Sequence, residues 1–275
     1  MPEGSRLLRV SMVAAGLAVT YAAFVLYLLP DRSEDLFAWD IQPPLTAAFL
    51  GAMYTTGSPL LFLVARRGTR WTRIRPVLPP FVSVSVAMVT ATIIHSERFI
   101  WSSPVTWLWI SLYSIFPPLI LYLYLDHQRR RPDGGDPPPT VELSRGLRTG
   151  AAVLAVPLAA YGLGLFLAPD TFDGAWPWPL TPLTARAVGG WLVSFGVALV
   201  AVSRERDWTS VRMIARQGIL VTVLLLVAVV RFNDTLDWDE PAPWLFVAGL
   251  LAALAGATGV YAAWERRAKT AAAPG

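Results

Sequence analysis

Four side chains carry most of the chemistry that this sequence offers. His95 and Glu97 lie two residues apart, and Arg186 and Arg231 stand near the ends of apolar stretches. Histidine exchanges protons near neutral pH, and arginine binds carboxylates and phosphates. These residue types predict a polar patch that holds a small anionic ligand or relays a proton. The structural alternative is that the same side chains reach the surface and pair with acids: Asp170, Asp173 or Asp234.

Most other chemistries lack their residues. The chain of 275 residues has no cysteine and two histidines, His95 and His127. Thiol catalysis and disulfides are therefore excluded, and a paired axial set for haem is missing. We find no phosphate-binding glycine loop, nucleophile elbow or metal-hydrolase motif. The sequence predicts no cofactor, no metal site and no catalytic residue, and it disfavours an enzyme without excluding one.

The elements that must position these residues are membrane helices. The chain is 55% hydrophobic with a mean hydropathy of +0.49, which is high for a soluble domain. Runs of about 20 apolar residues indicate spanning helices, and their unbroken apolar character argues against the alternating strands of a barrel. We predict an all-α integral membrane protein with eight transmembrane helices, near residues 10–29, 45–65, 77–94, 105–125, 150–167, 183–202, 213–230 and 244–263.

Charge predicts the orientation of these helices. The loop after the second span carries only basic charges, Arg66, Arg67, Arg70, Arg73 and Arg75, whereas the first hairpin loop is mostly acidic. By the positive-inside rule the basic loop is cytoplasmic, so both termini are cytoplasmic in a multi-pass protein of the cell membrane. Because topology accounts for the basic excess, the lipid bilayer is the expected partner and nucleic acid is not.

An internal repeat is the most specific pattern in the sequence. Pro30-Asp31 recurs as Pro169-Asp170, Pro44-Leu45-Thr46-Ala47 recurs as Pro182-Leu183-Thr184-Ala185, and Trp101-Ser-Ser-Pro104 corresponds to Trp238-Asp-Glu-Pro241, at offsets of 137 to 139 residues. We predict a four-helix repeat at 7–131, a cytoplasmic Pro/Gly-rich linker at 132–147 and a second repeat at 148–267. Because each repeat has an even number of spans, the two are parallel and related by a pseudo-twofold axis along the membrane normal.

Tryptophan is concentrated near the predicted outer ends of the helices. An interfacial belt accounts for this placement, and the alternative is an aromatic pocket for an amphiphile. The residues concerned are Trp39, Trp101, Trp107, Trp176, Trp178, Trp238 and Trp244.

The repeated pattern, including Ala38-Trp39, Trp71-Thr72 and the paired Pro-Leu-Thr-Ala segments, resembles that of uncharacterised bacterial multi-spanning membrane proteins with an internal duplication. The resemblance covers most of the chain but implies no activity, ligand or site. The residues favour a small permease, or a membrane protein that binds a solute or lipid, with an outward-facing polar and aromatic site for a small anionic or amphiphilic ligand. The alternative is a non-catalytic accessory or structural subunit with a membrane protein partner, and a lipid-modifying enzyme is the least favoured class.

Overall fold

The computed structural model describes residues 6–66, 71–129 and 139–272, and within these ranges it is all-helical. Arg67, Arg70, Arg130, Arg131 and residues 132–138 of the predicted linker lie outside the described residues. The longer helices are α1 (Arg6–Leu28), α2 (Pro44–Tyr54), α3 (Gly57–Ala65), α4 (Leu78–Ile94), α5 (Pro104–Arg129), α6 (Arg145–Leu167), α7 (Pro182–Arg204), α8 (Trp208–Arg231) and α9 (Pro241–Ala272). Short helical turns connect them, among them Ser33–Leu36, Trp71–Ile74, Ser96–Arg98, Pro169–Phe172 and Asn233–Thr235.

Seven stretches of the described residues are long and apolar enough to cross a bilayer. The chain is therefore a helical, multi-pass membrane protein. The remaining predicted span, 105–125, falls in α5, a helix of 26 residues that contains Pro117 and Pro118; α5 is not among the seven, so the eighth span stays a prediction. The seven stretches are Arg9–Leu28, Pro44–Ala65, Trp71–Ile94, Arg145–Leu167, Pro182–Arg204, Trp208–Arg231 and Pro241–Ala271.

The start of several helices is set by proline. α2, α5, α7 and α9 each begin at a proline, whose missing N–H costs nothing in a first turn. α7 is also capped by Thr181, which exchanges hydrogen bonds with Thr184. The second predicted span is one apolar run in the sequence, but it divides into α2 and α3 at Thr55 and Thr56, whose hydroxyls donate to the carbonyls of Ala52 and Met53. Pro59 contributes to the break because it lacks an N–H for the preceding turn.

Within each half of the chain, the first two spans pack with their backbones in close approach. A Cβ placed on Gly51 of α2 would lie 2.5 Å from the backbone nitrogen of Tyr27 in α1. A Cβ placed on Gly189 of α7 would lie 2.5 Å from the carbonyl oxygen of Gly162 in α6. In a membrane, such contacts between small residues supply much of the attraction between helices. Any side chain at either position would push the two helices apart.

The two halves interlock through their second and third spans. α4 packs against α7, and α8 packs against α2. The hydroxyl of Ser194 donates to the carbonyl of Pro80 at 2.8 Å, and the indole of Trp178 donates to the Thr46 hydroxyl at 2.9 Å. One hydrophobic core therefore runs through both halves.

We call the end of the helices where α1 begins and α9 finishes the terminal end, and the opposite end the hairpin end. At the terminal end, the described part of the linker is packed. Val141 and Leu143 are buried against Trp208, and backbone hydrogen bonds join Leu143 to Arg206 and Trp208 to Val141. A buried ion pair between Arg75 and Glu205, 2.8 Å between Nε and Oε1, crosses between the halves.

Indole hydrogen bonds recur at the hairpin end. Trp101 donates to the carbonyl of Ser96 at 2.8 Å, and Trp238 donates to that of Asn233 at 3.1 Å, 137 residues further along (101 to 238). Trp107 and Trp244 likewise donate to the carbonyls of Trp101 and Trp238. Trp101, Trp107 and Trp244 are exposed, as an interfacial belt requires. The prediction of an interfacial position is wrong for three buried tryptophans that belong to the core: Trp39, Trp176 and Trp178.

Candidate functional site

Arg186 and His95 meet at the hairpin end. His95 directly follows α4, and Arg186 is the fifth residue of α7, so the packing of these two helices brings the side chains together. Arg186 Nη1 lies 2.8 Å from His95 Nε2 and 3.2 Å from the carbonyl oxygen of Pro182. Because a guanidinium only donates, Nε2 accepts and the neutral ring carries its proton on Nδ1. Arg186 Nε is buried and has no hydrogen-bond partner among the described residues.

Glu97 extends this pair to the surface. Its Oε1 lies 3.8 Å from His95 Nδ1 and 3.8 Å from Arg98 Nε. Glu97 and Arg98 are both well exposed, whereas the His95 side chain is only 14% exposed. The cluster therefore runs from a partly buried guanidinium, through an imidazole, to a solvated carboxylate.

The pKa of His95 lies below its ordinary value of 6.5, chiefly because burial penalises the imidazolium and then because Arg186 is positively charged. Arg98 lowers the pKa further, while Glu97 opposes the shift. The unfolded chain therefore takes up the proton first as the pH falls, which favours unfolding.

We expect no loss of melting temperature from His95 above pH 6.5. The melting temperature should fall as the pH drops through 6.5 towards the lowered pKa of His95. A His95→Asn variant should lack this pH-dependent fall in melting temperature, because it has no imidazole to protonate. Melting temperatures measured at several pH values in the same detergent check the prediction. Equal pH dependence of the parent and His95→Asn would contradict it.

Arg231 lies apart from this cluster. Its two Nη atoms donate to the backbone carbonyls of Tyr27 and Leu28, at 2.9 and 3.2 Å, and its guanidinium lies 4.8 Å from the centre of the Phe232 ring. The carbonyls at the end of a helix lack partners within that helix, so Arg231 caps α1. The structure thus brings together His95, Glu97 and Arg186, and it places Arg231 at another helix end because α8 packs near α1 while α7 packs against α4.

The acids expected in the structural alternative do not pair with these arginines. Among the described residues, Arg186 and Arg231 form no ion pair with Asp170, Asp173 or Asp234. Their partners are the imidazole and backbone carbonyls given above.

A groove that the sequence analysis missed lies between α4 and α5, next to the same helix end. Its volume is about 350 Å³, which is within the range of small-ligand pockets. Hydrogen bonds from the Trp109 indole to the Thr92 hydroxyl, and between the hydroxyls of Tyr113 and Tyr54, fix one wall. The groove is lined by Val89, Thr92, Ile93, Ser96, Trp101, Trp109, Ile110, Tyr113 and Ser114.

The spacing of the groove residues contains the signal that could have identified it. Residues 89, 92 and 93 share one face of α4, residues 109, 110, 113 and 114 share one face of α5, and Ser96 follows in the turn after α4. Ser96 lines the groove, and its neighbours His95 and Glu97 belong to the polar cluster. The helical turn Ser96–Arg98 therefore joins an apolar, aromatic groove to a charged patch. Such a surface can hold a molecule that has an apolar chain and an anionic group.

Comparisons with known proteins add no relative: no family model matches the chain, and no curated protein and no solved structure matches it. Among the residues that the structure describes, no three histidine, aspartate or glutamate side chains converge as metal ligands.

Proposed function

We propose that this protein binds an anionic amphiphile at the hairpin end of its helices, as a small permease or a membrane lipid-binding protein would. The observation that carries the proposal is that Ser96, which lines the groove, stands between His95 and Glu97 in the chain, and that His95 contacts Arg186. The groove offers indole and phenol rings and three small hydroxyls, and Arg186 supplies the positive charge. Arginine is suited to planar anions such as carboxylate and phosphate.

The proposal includes an orientation for the site. We infer eight spans in two parallel repeats, in the cell membrane with both termini cytoplasmic, so that the hairpin end faces outward. The reciprocal packing of α4 on α7 and α8 on α2 supports a pseudo-twofold arrangement, because it pairs the third span of each half with the second span of the other. The indole hydrogen bonds that recur at an offset of 137 residues (101 to 238) support it as well.

Ligand-dependent thermal stability of the detergent-purified protein tests the site. We expect lysophosphatidylglycerol to raise the melting temperature of the parent more than lysophosphatidylcholine does. Arg186→Gln removes the charge, and Ser114→Trp fills the groove. Each variant should need a concentration of the anionic lipid about tenfold higher or more to reach the same increase in melting temperature, as expected for loss of a charge-assisted hydrogen bond or of the pocket.

Arg231→Gln is the matched control, because it removes an arginine from the same end without touching the cluster. It should lower the basal melting temperature by uncapping α1 and leave the lipid-dependent increase intact. An equal increase in the parent, Arg186→Gln and Ser114→Trp would contradict the proposal.

A second candidate, an accessory subunit of a membrane assembly, is favoured by the position of α9. None of the residues in its most apolar window is buried within the chain, and a Cβ added at Gly249, Gly256 or Gly259 would meet nothing within 4 Å. A transmembrane helix of another membrane protein would fit this surface closely. Stoichiometric copurification of a second membrane protein in mild detergent supports this candidate, and a single monodisperse chain contradicts it.

A further inference from the structure

A second cavity lies at the terminal end, between the beginning of α6 and the last turn of α7. Its volume is about 370 Å³, and it is lined by Arg145, Arg148, Thr149, Ala152 and Ser203. The lining thus contains two guanidinium groups and two hydroxyls but no carboxylate. Its chemistry is distinct from that of the aromatic groove at the hairpin end.

The beginning of α6 adds to the positive potential of the cavity. Ser144 caps this helix by accepting a hydrogen bond from the backbone nitrogen of Leu147 at 3.2 Å. The first turn of α6 contains no acidic residue, so the positive end of the helix dipole is not compensated there. Backbone N–H groups at such an end attract anions.

The two arginines are arranged differently around the cavity. Arg148 Nε donates to the carbonyl oxygen of Ser203 at 2.9 Å, which fixes its guanidinium at the edge of the cavity and joins α6 to α7. Arg145 is exposed and forms no ion pair with any described residue. One arginine is therefore held in place, and the other can close over a bound anion.

The nearby acids are engaged elsewhere or remain apart. Glu205 pairs with Arg75. The Asp207 carboxylate caps α8 and accepts a hydrogen bond from the backbone of Val141. Glu142 is exposed and forms no ion pair with either arginine of the cavity. An anion from solution or from the membrane would meet no competing carboxylate in the lining.

We propose that this cavity binds a phosphate group, and that the phosphate is the headgroup of an anionic phospholipid. α6 is itself an apolar span, Arg145–Leu167. Ala152 lies seven residues, or roughly 10 Å, further along the helix than Arg145. The lining therefore runs from cationic and hydroxyl-bearing residues at the beginning of α6 to Ala152, where the apolar stretch of α6 continues, which suits a headgroup that remains attached to its acyl chains. Basic pockets between membrane helices bind anionic headgroups in this way.

Native mass spectrometry of the delipidated protein tests the proposal, with Arg186→Gln present in the parent and in every variant so that lipid binding at the hairpin end is weakened and the two sites are distinguished. Dioctanoyl phosphatidylglycerol should bind at one saturable site, and dioctanoyl phosphatidylcholine should bind at least about tenfold more weakly, because it has no net charge to pair with the guanidinium groups. Arg145→Gln should weaken phosphatidylglycerol binding by a similar factor. Arg266→Gln, which removes an exposed arginine from α9 at the same end, is the control and should bind like the parent.

Three results would overturn the proposal. Equal losses in Arg145→Gln and Arg266→Gln would mean that the attraction is a diffuse effect of net charge. Displacement of the lipid by millimolar inorganic phosphate, with equal affinity for phosphate alone, would mean that the ligand is the free anion. Unchanged binding in Arg145→Gln, and also in an Arg148→Gln variant that keeps the parent's melting temperature, would mean that the cavity is not the site.

Discussion

Replacement of Gly189 by valine is expected to leave little folded protein. A Cβ at this position would lie 2.5 Å from the Gly162 carbonyl oxygen and 2.9 Å from the backbone nitrogen of Phe166. Both neighbours are backbone atoms of α6, so no side-chain rotation can relieve the clash. Overpacking typically costs about 1–3 kcal/mol where side chains can adjust, and we expect the upper end of that range or more here. The melting temperature and the yield of monodisperse protein in detergent measure the effect.

Gly256→Val is the matched control for this variant. It places the same β-branched side chain in the interior of a helix, but a Cβ at Gly256 would meet nothing within 4 Å. Because valine has a slightly better helix propensity than glycine, this variant should be about as stable as the parent or slightly more stable. Gly51→Val should behave like Gly189→Val, because its Cβ would meet the backbone of Tyr27. Equal melting temperatures for Gly189→Val and Gly256→Val would contradict the close approach of α6 and α7.

Substitution of Glu205 by alanine is expected to produce the second large loss of stability. Glu205 is 6% exposed and binds Arg75 through both carboxylate oxygens, across the boundary between the two halves. Removal of the carboxylate leaves a guanidinium charge in a largely buried site, where breaking such a pair typically costs about 3–5 kcal/mol. Reversible unfolding in mixed detergent micelles measures the change in free energy.

A double variant separates the worth of the ion pair from the cost of removing only its carboxylate. Arg75→Met with Glu205→Leu removes both charges and should recover most of the stability that Glu205→Ala loses, because apolar residues of similar size often replace buried ion pairs at little cost. The exposed carboxylate Glu97 provides the comparison: Glu97→Gln should cost no more than about 1 kcal/mol. A double variant as unstable as Glu205→Ala would show that the buried charge is not the cause.

The sequence predicted the helices well where an apolar run has a clear boundary. Pro44 and Pro182 mark the starts of α2 and α7 because proline suits a first helical turn and interrupts the preceding segment. The break between α2 and α3 could not be predicted in the same way, because the hydroxyls of Thr55 and Thr56 donate to the carbonyls three residues earlier inside a continuous apolar stretch. Hydropathy does not distinguish such a break from an uninterrupted helix.

Trp39 and Trp178 show why placement at a helix end is not enough to assign a residue to the interface. Their loops fold back into the bundle: the Ala38 carbonyl accepts a hydrogen bond from the backbone of Ile100, and Trp178 donates to Thr46. Both tryptophans are consequently buried. That outcome depends on contacts between distant segments, which local composition does not contain.

Part of the candidate site was accessible from the sequence for a simple energetic reason. Polar side chains at the membrane border are costly unless they find partners, and this singled out His95, Glu97 and Arg186, which lie together. Arg231 met the same criterion, but only the packing of α8 near α1 reveals that it serves as a cap. The groove was missed because Thr92 and Ser114 are unremarkable in apolar helices, and their meeting depends on how α4 and α5 are paired.

The cap on α1 also has a consequence for how the protein is made. The carbonyl of Tyr27 receives its hydrogen bond from Arg231, a residue 204 positions later in the chain. At a synthesis rate of roughly 5–20 residues per second, about 10–40 s separate the appearance of the two residues. During this interval, water or lipid headgroups must satisfy the exposed end of the first helix. The first helix therefore receives its cap only after Arg231, more than four fifths of the way along the chain, has been synthesised.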